Sequence, residues 1–395
     1  MLAPLISNNV WLVLTVWMGL ALLASLFSIR LGVSVALLEI ATGVIGGNFL
    51  GLQTTPWIDV LAGFGSVLLT FLAGAEIEPE VLHRHLKPTL AIGSVAFLAP
   101  FLGAWHFAEL VAGWDHHAAL IAGIALSTTS VAVVYAVMVE TGLNETELGK
   151  IILAACFVND LGTVLALGVF FANFNAFMAA FVGVLVIVLL FVNRLLRGLM
   201  LRVGNRVSEP EIKFLFVVLF LLGGLATTAK SEAVLPAYLV GLVVAGVFVH
   251  DKVLVNRMRS TAFALLTPFY FLKAGLFVSL PAVAAGAGLI LALLLVKMIS
   301  KVASVWPTSR AFGLTLRETN YTTMLMSTGL TFGTISALFG LTNHIIDQTQ
   351  YTILVTVVIL SAVVPTLIAQ TFFQPDVARV SDEETEAALE PVPAA

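Results

Sequence analysis

Asn159 and Asp160 stand side by side in an otherwise apolar stretch, Ile151–Gly168, that is long enough to cross a bilayer. A carboxylate near the bilayer centre costs several kcal/mol or more, depending on the scale used. A chain keeps one there when it meets a cation or a proton, or when a partner neutralises it. Asp160 supplies a hard anionic oxygen suited to Na⁺, Li⁺ or H⁺, and Asn159 adds a neutral amide, either as a ligand carbonyl or as a clamp. A cation and a proton competing for one carboxylate, together with alternating access, suffice to make an exchanger.

Other polar residues in apolar stretches fall at the same depth. Ser127-Thr128-Thr129-Ser130 interrupts one stretch, and Ser327-Thr328-Gly329-Leu330-Thr331 another. Such interruptions read as broken helices whose unwound carbonyls and amides need polar company, although Ser and Thr hydroxyls also bond back onto intact helices. Lys297 counts to the same level and is a candidate site residue, with a salt bridge to Asp160 or snorkelling toward Lys301 as alternatives. Lys273 is the remaining intramembrane lysine and is expected to meet Glu76 or a lipid phosphate. Cys156, one turn before Asp160, reads as a packing residue. Glu76, Glu78 and Glu80 read as solvated charges, His83, His85 and His250 as exposed histidines at the cytoplasmic side, and Glu232 and Asp347 as outer-edge charges.

The elements that must position these groups are transmembrane helices. Hydrophobic residues make up 59% of the 395, charged residues 11%, and mean hydropathy is +1.05, whereas a soluble protein would carry about 25% charged residues. Apolar runs of roughly 20 residues number thirteen: 10–29, 31–50, 57–75, 88–108, 117–139, 147–171, 176–201, 211–229, 233–250, 260–281, 284–306, 319–341 and 346–372. Of the 19 Lys and Arg, 16 follow odd-numbered spans, which puts the N-terminus outside and the C-terminus in the cytoplasm. The acidic tail, 376–395, reads as disordered. With net charge −4 and a single cysteine, neither nucleic-acid binding nor a disulfide or cysteine metal cluster is expected. No His-Glu-x-x-His or Gly-x-Ser-x-Gly motif suggests an enzyme, and no cofactor is expected.

Phe71-Leu-Ala-Gly-Ala75 is echoed by Phe271-Leu-Lys-Ala-Gly275, and the two polar interruptions are offset by the same roughly 200 residues, or seven spans. An odd offset inverts one half against the other, and inverted repeats with matching broken helices mark secondary transporters. The expected fold is thus an all-α polytopic membrane protein with two broken crossing helices.

Together with Leu38–Gly46, Phe71–Pro79, Ala125–Ala132, Pro268–Gly275 and Met326–Gly333, these features resemble the monovalent cation:proton antiporters, in particular their second branch, over all thirteen spans. The resemblance implies a homodimer in the cell inner membrane and a role in pH homeostasis. It implies a dimerisation unit (1–75 and 211–281), a linker helix (176–201) and a core transport unit (88–171 and 284–372) with elevator-like movement. It makes Asp160 the residue that carries Na⁺ or another monovalent cation. Electrogenic relatives look like Asp-Asp where this chain has Asn159-Asp160, so the resemblance favours one proton per cation. Potassium exchangers of the second branch carry Gln-Asp and a nucleotide-binding domain, which favours Na⁺ over K⁺. A sodium-coupled organic-anion symporter on a related fold is the alternative of another class.

Overall fold

The computed structural model describes residues 9–31, 34–75, 85–143, 146–171, 176–204, 206–229 and 233–375. Glu76, Glu78, Glu80, His83, Lys230, Glu232, the side chain of His250 and the tail from 376 lie outside the described residues. Among the described residues every regular element is helical. In chain order they are α1 (Val10–Leu31), α2 (Val35–Phe49), α3 (Pro56–Ala75), α4 (Leu86–Leu110), α5 (His116–Ser127), α6 (Val131–Thr141), α7 (Glu147–Phe170), α8 (Ala176–Val203), α9 (Pro210–Thr228), α10 (Val234–His250), α11 (Lys252–Thr261), α12 (Thr267–Leu276), α13 (Leu280–Ala285), α14 (Ala287–Ala311), α15 (Leu316–Met326), α16 (Thr331–Thr342) and α17 (Gln348–Ile368).

Only helices satisfy their own backbone polar groups in hydrocarbon, and these sequences have the length to do so. Among the described residues nine are long and apolar enough to cross a membrane, with α15 and α16 taken together through their break. Val35–Phe49, His116–Ser127 and Val234–Phe248 are apolar but shorter, so helix length alone does not return the expected thirteen. Most ends shift by a few residues, and two expected spans are built differently. The stretch 260–281 is the end of α11, a π turn at Ala262–Leu266, and then α12, with Pro268 in its first turn. The stretch 284–306 continues through Pro307 to Ala311.

Contacts divide the chain into two compact units, with boundaries that fall inside several helices. The first comprises Met1–Pro79, Leu161–Ala287 and Thr334–Val355. Its core gathers Phe71, Leu72, Leu215, Leu222, Val240 and Phe248. Helices α2 and α12 meet there almost backbone to backbone, since Gly43 faces the Leu272 carbonyl and Gly275 the Ile40 carbonyl. Small residues at such contacts are how helices associate when lipid is as apolar as they are.

The second unit comprises Glu80–Asp160, Gly288–Gly333 and Thr356–Ala395. Its apolar core joins Ile92 and Ala96 of α4 to Val134 and Met138 of α6, Ile152 and Cys156 of α7, and Tyr321, Leu325 and Met326 of α15. His85, expected to be exposed, immediately precedes α4 and bonds to Glu147, the first residue of α7, which also pairs with Lys150 at 3.7 Å.

Candidate ion site at the helix crossing

Two helices of the second unit stop in its interior. Helix α5 is started by Asp115, whose carboxylate accepts the N–H groups of His117 and Ala118, both at 3.2 Å. It ends at Ser127, and Thr128 turns to an extended backbone with φ −63° and ψ 151°. Helix α15 begins with a capping box between Thr315 and Glu318 and ends at Met326, and α16 resumes at Thr331. Both polar interruptions read from the sequence are therefore breaks. Residues Ser127 to Ser130 and Ser327 to Leu330 are fully buried.

The breaks touch. Thr129 Oγ1 donates to the Met326 carbonyl at 2.8 Å, and the Ser130 N–H reaches Thr328 Oγ1 at 3.4 Å. Thr328 Oγ1 itself donates to the Leu325 carbonyl at 2.8 Å. Gly333 makes this approach possible, because a Cβ there would lie 2.8 Å from the Ala125 carbonyl and 3.0 Å from Thr128 Oγ1. Ser127 and Thr128 bond back to Ile124 and Ala125 of α5, and the Ser130 hydroxyl accepts the Val133 N–H. Thr331 is half-buried at the start of α16.

A break strands backbone groups that an intact helix would pair. Asn159 of α7 takes up two of them. Its Oδ1 accepts the Thr129 N–H at 2.9 Å and its Nδ2 donates to the Ser127 carbonyl at 3.2 Å. These two bonds tie α7 to the break, as a clamp would. Only a side chain with both a donor and an acceptor does this, and an ionised carboxylate has no donor.

Asp160 follows directly on α7 and is 1% exposed. Its Oδ1 is buried without a hydrogen-bond partner among the described residues, and it makes no salt bridge with Lys297 or Lys301. Cys156, one turn back, packs its sulfur 3.7 Å from that of Met326.

Both lysines of α14 are fully buried. Lys301 donates to Thr129 Oγ1 at 3.0 Å and lies close enough to Asp160 for their charges to interact. Lys297 donates to the Thr128 carbonyl at 3.2 Å and to Ser361 Oγ of α17 at 3.0 Å. Lys301, expected at the cytoplasmic edge, is instead buried at the crossing beside Lys297. Ending the span at 306 set the helix centre too early; with α14 running to Ala311 the centre is residue 299, between the two lysines. The i, i+4 spacing that puts both on one face was the available signal.

Lys273 is not part of this cluster. It lies in the first unit, where its Nζ is 2.7 Å from Asp59 Oδ1, because α12 packs on α3 and Asp59 is in the first turn of α3. The same unit holds Glu39 of α2, 2% exposed with Oε2 unbonded. The sequence reading did not weigh it, although a lone acid in an apolar run is the signal that singled out Asp160.

The assembled groups, a buried carboxylate within range of Lys301 and one residue from the amide that spans the first break, suit a monovalent cation or a proton. Comparison with known proteins agrees with this chemistry. Residues 18–374 match the family model described as the sodium/hydrogen exchanger transmembrane region. A protein named "Probable Na(+)/H(+) antiporter 3", from Methanocaldococcus jannaschii, is 27% identical over 286 residues, covering 70% of this chain and 72% of that one. The Na(+)/H(+)-K(+) antiporter GerN of Bacillus cereus is 24% identical over 369 residues, covering 89% and 93%. The fold is similar to that of the sodium proton antiporter MjNhaP1 from Methanocaldococcus jannaschii at pH 8, with a TM-score of 0.68 at 15% identity over 92% of this chain and 98% of that one.

Proposed function

The chain belongs to the sodium/hydrogen exchanger family, and from that premise we propose that it exchanges Na⁺ or Li⁺ for H⁺ at Asp160 by alternating access, one proton per cation. That it is a multi-pass membrane cation/proton antiporter, and not an enzyme, follows from the family and its relatives. The choice of ion, the residue and the stoichiometry are the proposal.

The observation that carries it is the contrast within the adjacent pair. The Asn159 amide is committed at both ends to the backbone of the first break, while Asp160 keeps a buried oxygen unbonded. A dehydrated cation needs such an oxygen beside dipoles that need no reorganisation, and broken helix ends supply them. With an amide at 159, the pair offers one carboxylate, so one charge leaves for each that enters. The proposed arrangement has 88–171 and 284–372 as the moving core, 1–75 and 211–281 as a dimerising scaffold, and the N-terminus outside the cell inner membrane.

A K⁺/H⁺ exchanger is the second reading, favoured by a relative whose name includes K⁺. Purified protein in proteoliposomes with an entrapped pH dye, offered Na⁺, Li⁺ and K⁺ across a pH series, separates the two. Proton flux driven by Na⁺ should vanish in Asp160→Asn; unchanged flux there would sink the assignment. Flux that rises steeply with an imposed membrane potential would replace electroneutral by electrogenic exchange.

A further inference from the structure

The two buried lysines are not equivalent. Lys301 has an acid, Asp160, within range of its charge. Lys297 has none among the described residues. Its Nζ bonds to neutral oxygens, the carbonyl of Thr128 at 3.2 Å and Ser361 Oγ at 3.0 Å. The Ser361 hydroxyl donates to the Val358 carbonyl at 2.9 Å, so a lone pair of its oxygen is what the ammonium meets. That oxygen also lies 3.5 Å from the Gly329 carbonyl in the second break. Gly329 leaves the room required, since a Cβ there would sit against Lys297 Nζ.

Buried charges normally have opposite charges for partners. A positive charge held instead by carbonyls at the end of a half-helix and by a hydroxyl is in the surroundings of a dehydrated monovalent cation. The carbonyl end of a helix carries negative partial charge, and unwound carbonyls in broken helices are where transporters bind their ions. We propose that Thr128, Ser361 and Gly329 form a second monovalent-cation site at the crossing, and that Lys297 is a tethered surrogate that fills it permanently. The ammonium matches K⁺ in size more closely than it does Na⁺, so the emptied site should take K⁺ or NH₄⁺ ahead of Na⁺. In the native chain this site is never loaded from either side of the membrane. One cation per cycle then travels at Asp160. That stoichiometric consequence rests on the proposed role of Asp160; the existence of the second site does not.

The test uses the full chain, purified in detergent, in an Asp160→Asn background that removes any contribution from the first site. Melting is followed in KCl, NH₄Cl, NaCl and choline chloride at equal ionic strength. Asp160→Asn alone should melt alike in all four. Adding Lys297→Ala should bring a cation-specific stabilisation, a rise of about 2 °C or more per tenfold increase in K⁺ or NH₄⁺ once the site begins to fill. Adding Ser361→Ala as well should remove it. If the Lys297→Ala chain is recovered folded from KCl or NH₄Cl and aggregated from choline, the same dependence is read at the level of folding. Identical melting in all four salts, aggregation in all four, or a cation response that survives Ser361→Ala overturns the proposal. Flux is not the readout, so a failure of the exchange reading and a failure of this one are seen separately.

Discussion

Asn159 and Thr129 are joined across the first break by a hydrogen bond from the Thr129 N–H to the Asn159 side-chain oxygen, 2.9 Å long. With the bond from the same amide to the Ser127 carbonyl, it makes residue 159 the connection between α7 and the end of α5. Of two consecutive residues of one helix, one bonds across the break, and the next is the carboxylate proposed to carry the ion.

Asn159→Ala is expected to strand both backbone groups. Each buried unsatisfied group costs about 1–3 kcal/mol, so the loss should be about 2–6 kcal/mol, read as a fall in melting temperature in detergent. Asn159→Asp keeps the acceptor for Thr129, loses the donor to Ser127 and adds an acid. It should lose about half as much stability. If the new acid titrates during the cycle, exchange in proteoliposomes should become sensitive to membrane potential, and a rate that stays indifferent to potential in a folded Asn159→Asp chain would separate stoichiometry from this position.

Thr129 is the meeting point of three elements, because its hydroxyl donates to the Met326 carbonyl and accepts from Lys301. Thr129→Val preserves shape and removes both bonds, leaving a buried carbonyl and a buried ammonium short of a partner. A loss of about 2–4 kcal/mol is expected, since bonds to charged groups are the stronger ones, together with loss of exchange. Thr129→Ser should restore most of both. A Thr129→Val chain with native melting and native flux would show the link from Lys301 through Thr129 to Met326 to be idle.

Asp160 and the two breaks were legible in the sequence because a charge or a polar run stands out against apolar surroundings, whatever the fold. The partners were not. Nothing local ties Asn159 to Ser127 and Thr129, some thirty residues away, so its two bonds to the first break are not legible in the sequence. Ser361 is a lone serine in an apolar helix, a pattern that packing hydroxyls share. The expected span ends at 306, which puts Lys301 near the edge, yet α14 runs on through Pro307 to Ala311. The stretch 260–281 read as one span because hydropathy does not register a π turn, which changes the winding and not the composition. Lys273 was given two possible partners, and the observed one, Asp59, is 214 positions away in sequence.

Gly333→Ala tests the closeness of the crossing. The added Cβ would meet the Ala125 carbonyl and Val358 Cγ2, each at 2.8 Å. The carbonyl is backbone and cannot swing aside, so the breaks must separate, and exchange should be lost with a marked fall in melting temperature. Gly63→Ala serves as the contrast, since a Cβ there has nothing within 4 Å and alanine is favoured over glycine in a helix by about 0.5–1 kcal/mol. That variant should be as stable as the parent or more so. Equal behaviour of the two variants would mean that the tight contact at Gly333 has no energetic consequence.

Glu39 provides the comparison that tests what would make Asp160 the proposed site. Both acids are buried and both keep one oxygen unbonded. They differ in the backbone around them. Glu39 lies within α2, packed on α12, and the interiors of both helices are continuous, so their carbonyls are already spent on helix hydrogen bonds. Asp160 directly follows Asn159, which bonds across the first of two interrupted helices. If a lone buried carboxylate were sufficient, Glu39→Gln and Asp160→Asn should damage exchange alike. If interrupted backbone is also required, Glu39→Gln should keep Na⁺-driven proton flux within about twofold of the parent, a change of under 0.5 kcal/mol in the barrier, while Asp160→Asn falls to the background of protein-free liposomes. Flux measured on both variants at matched reconstitution decides it, and abolition by Glu39→Gln in a folded chain would make the first unit part of the ion path.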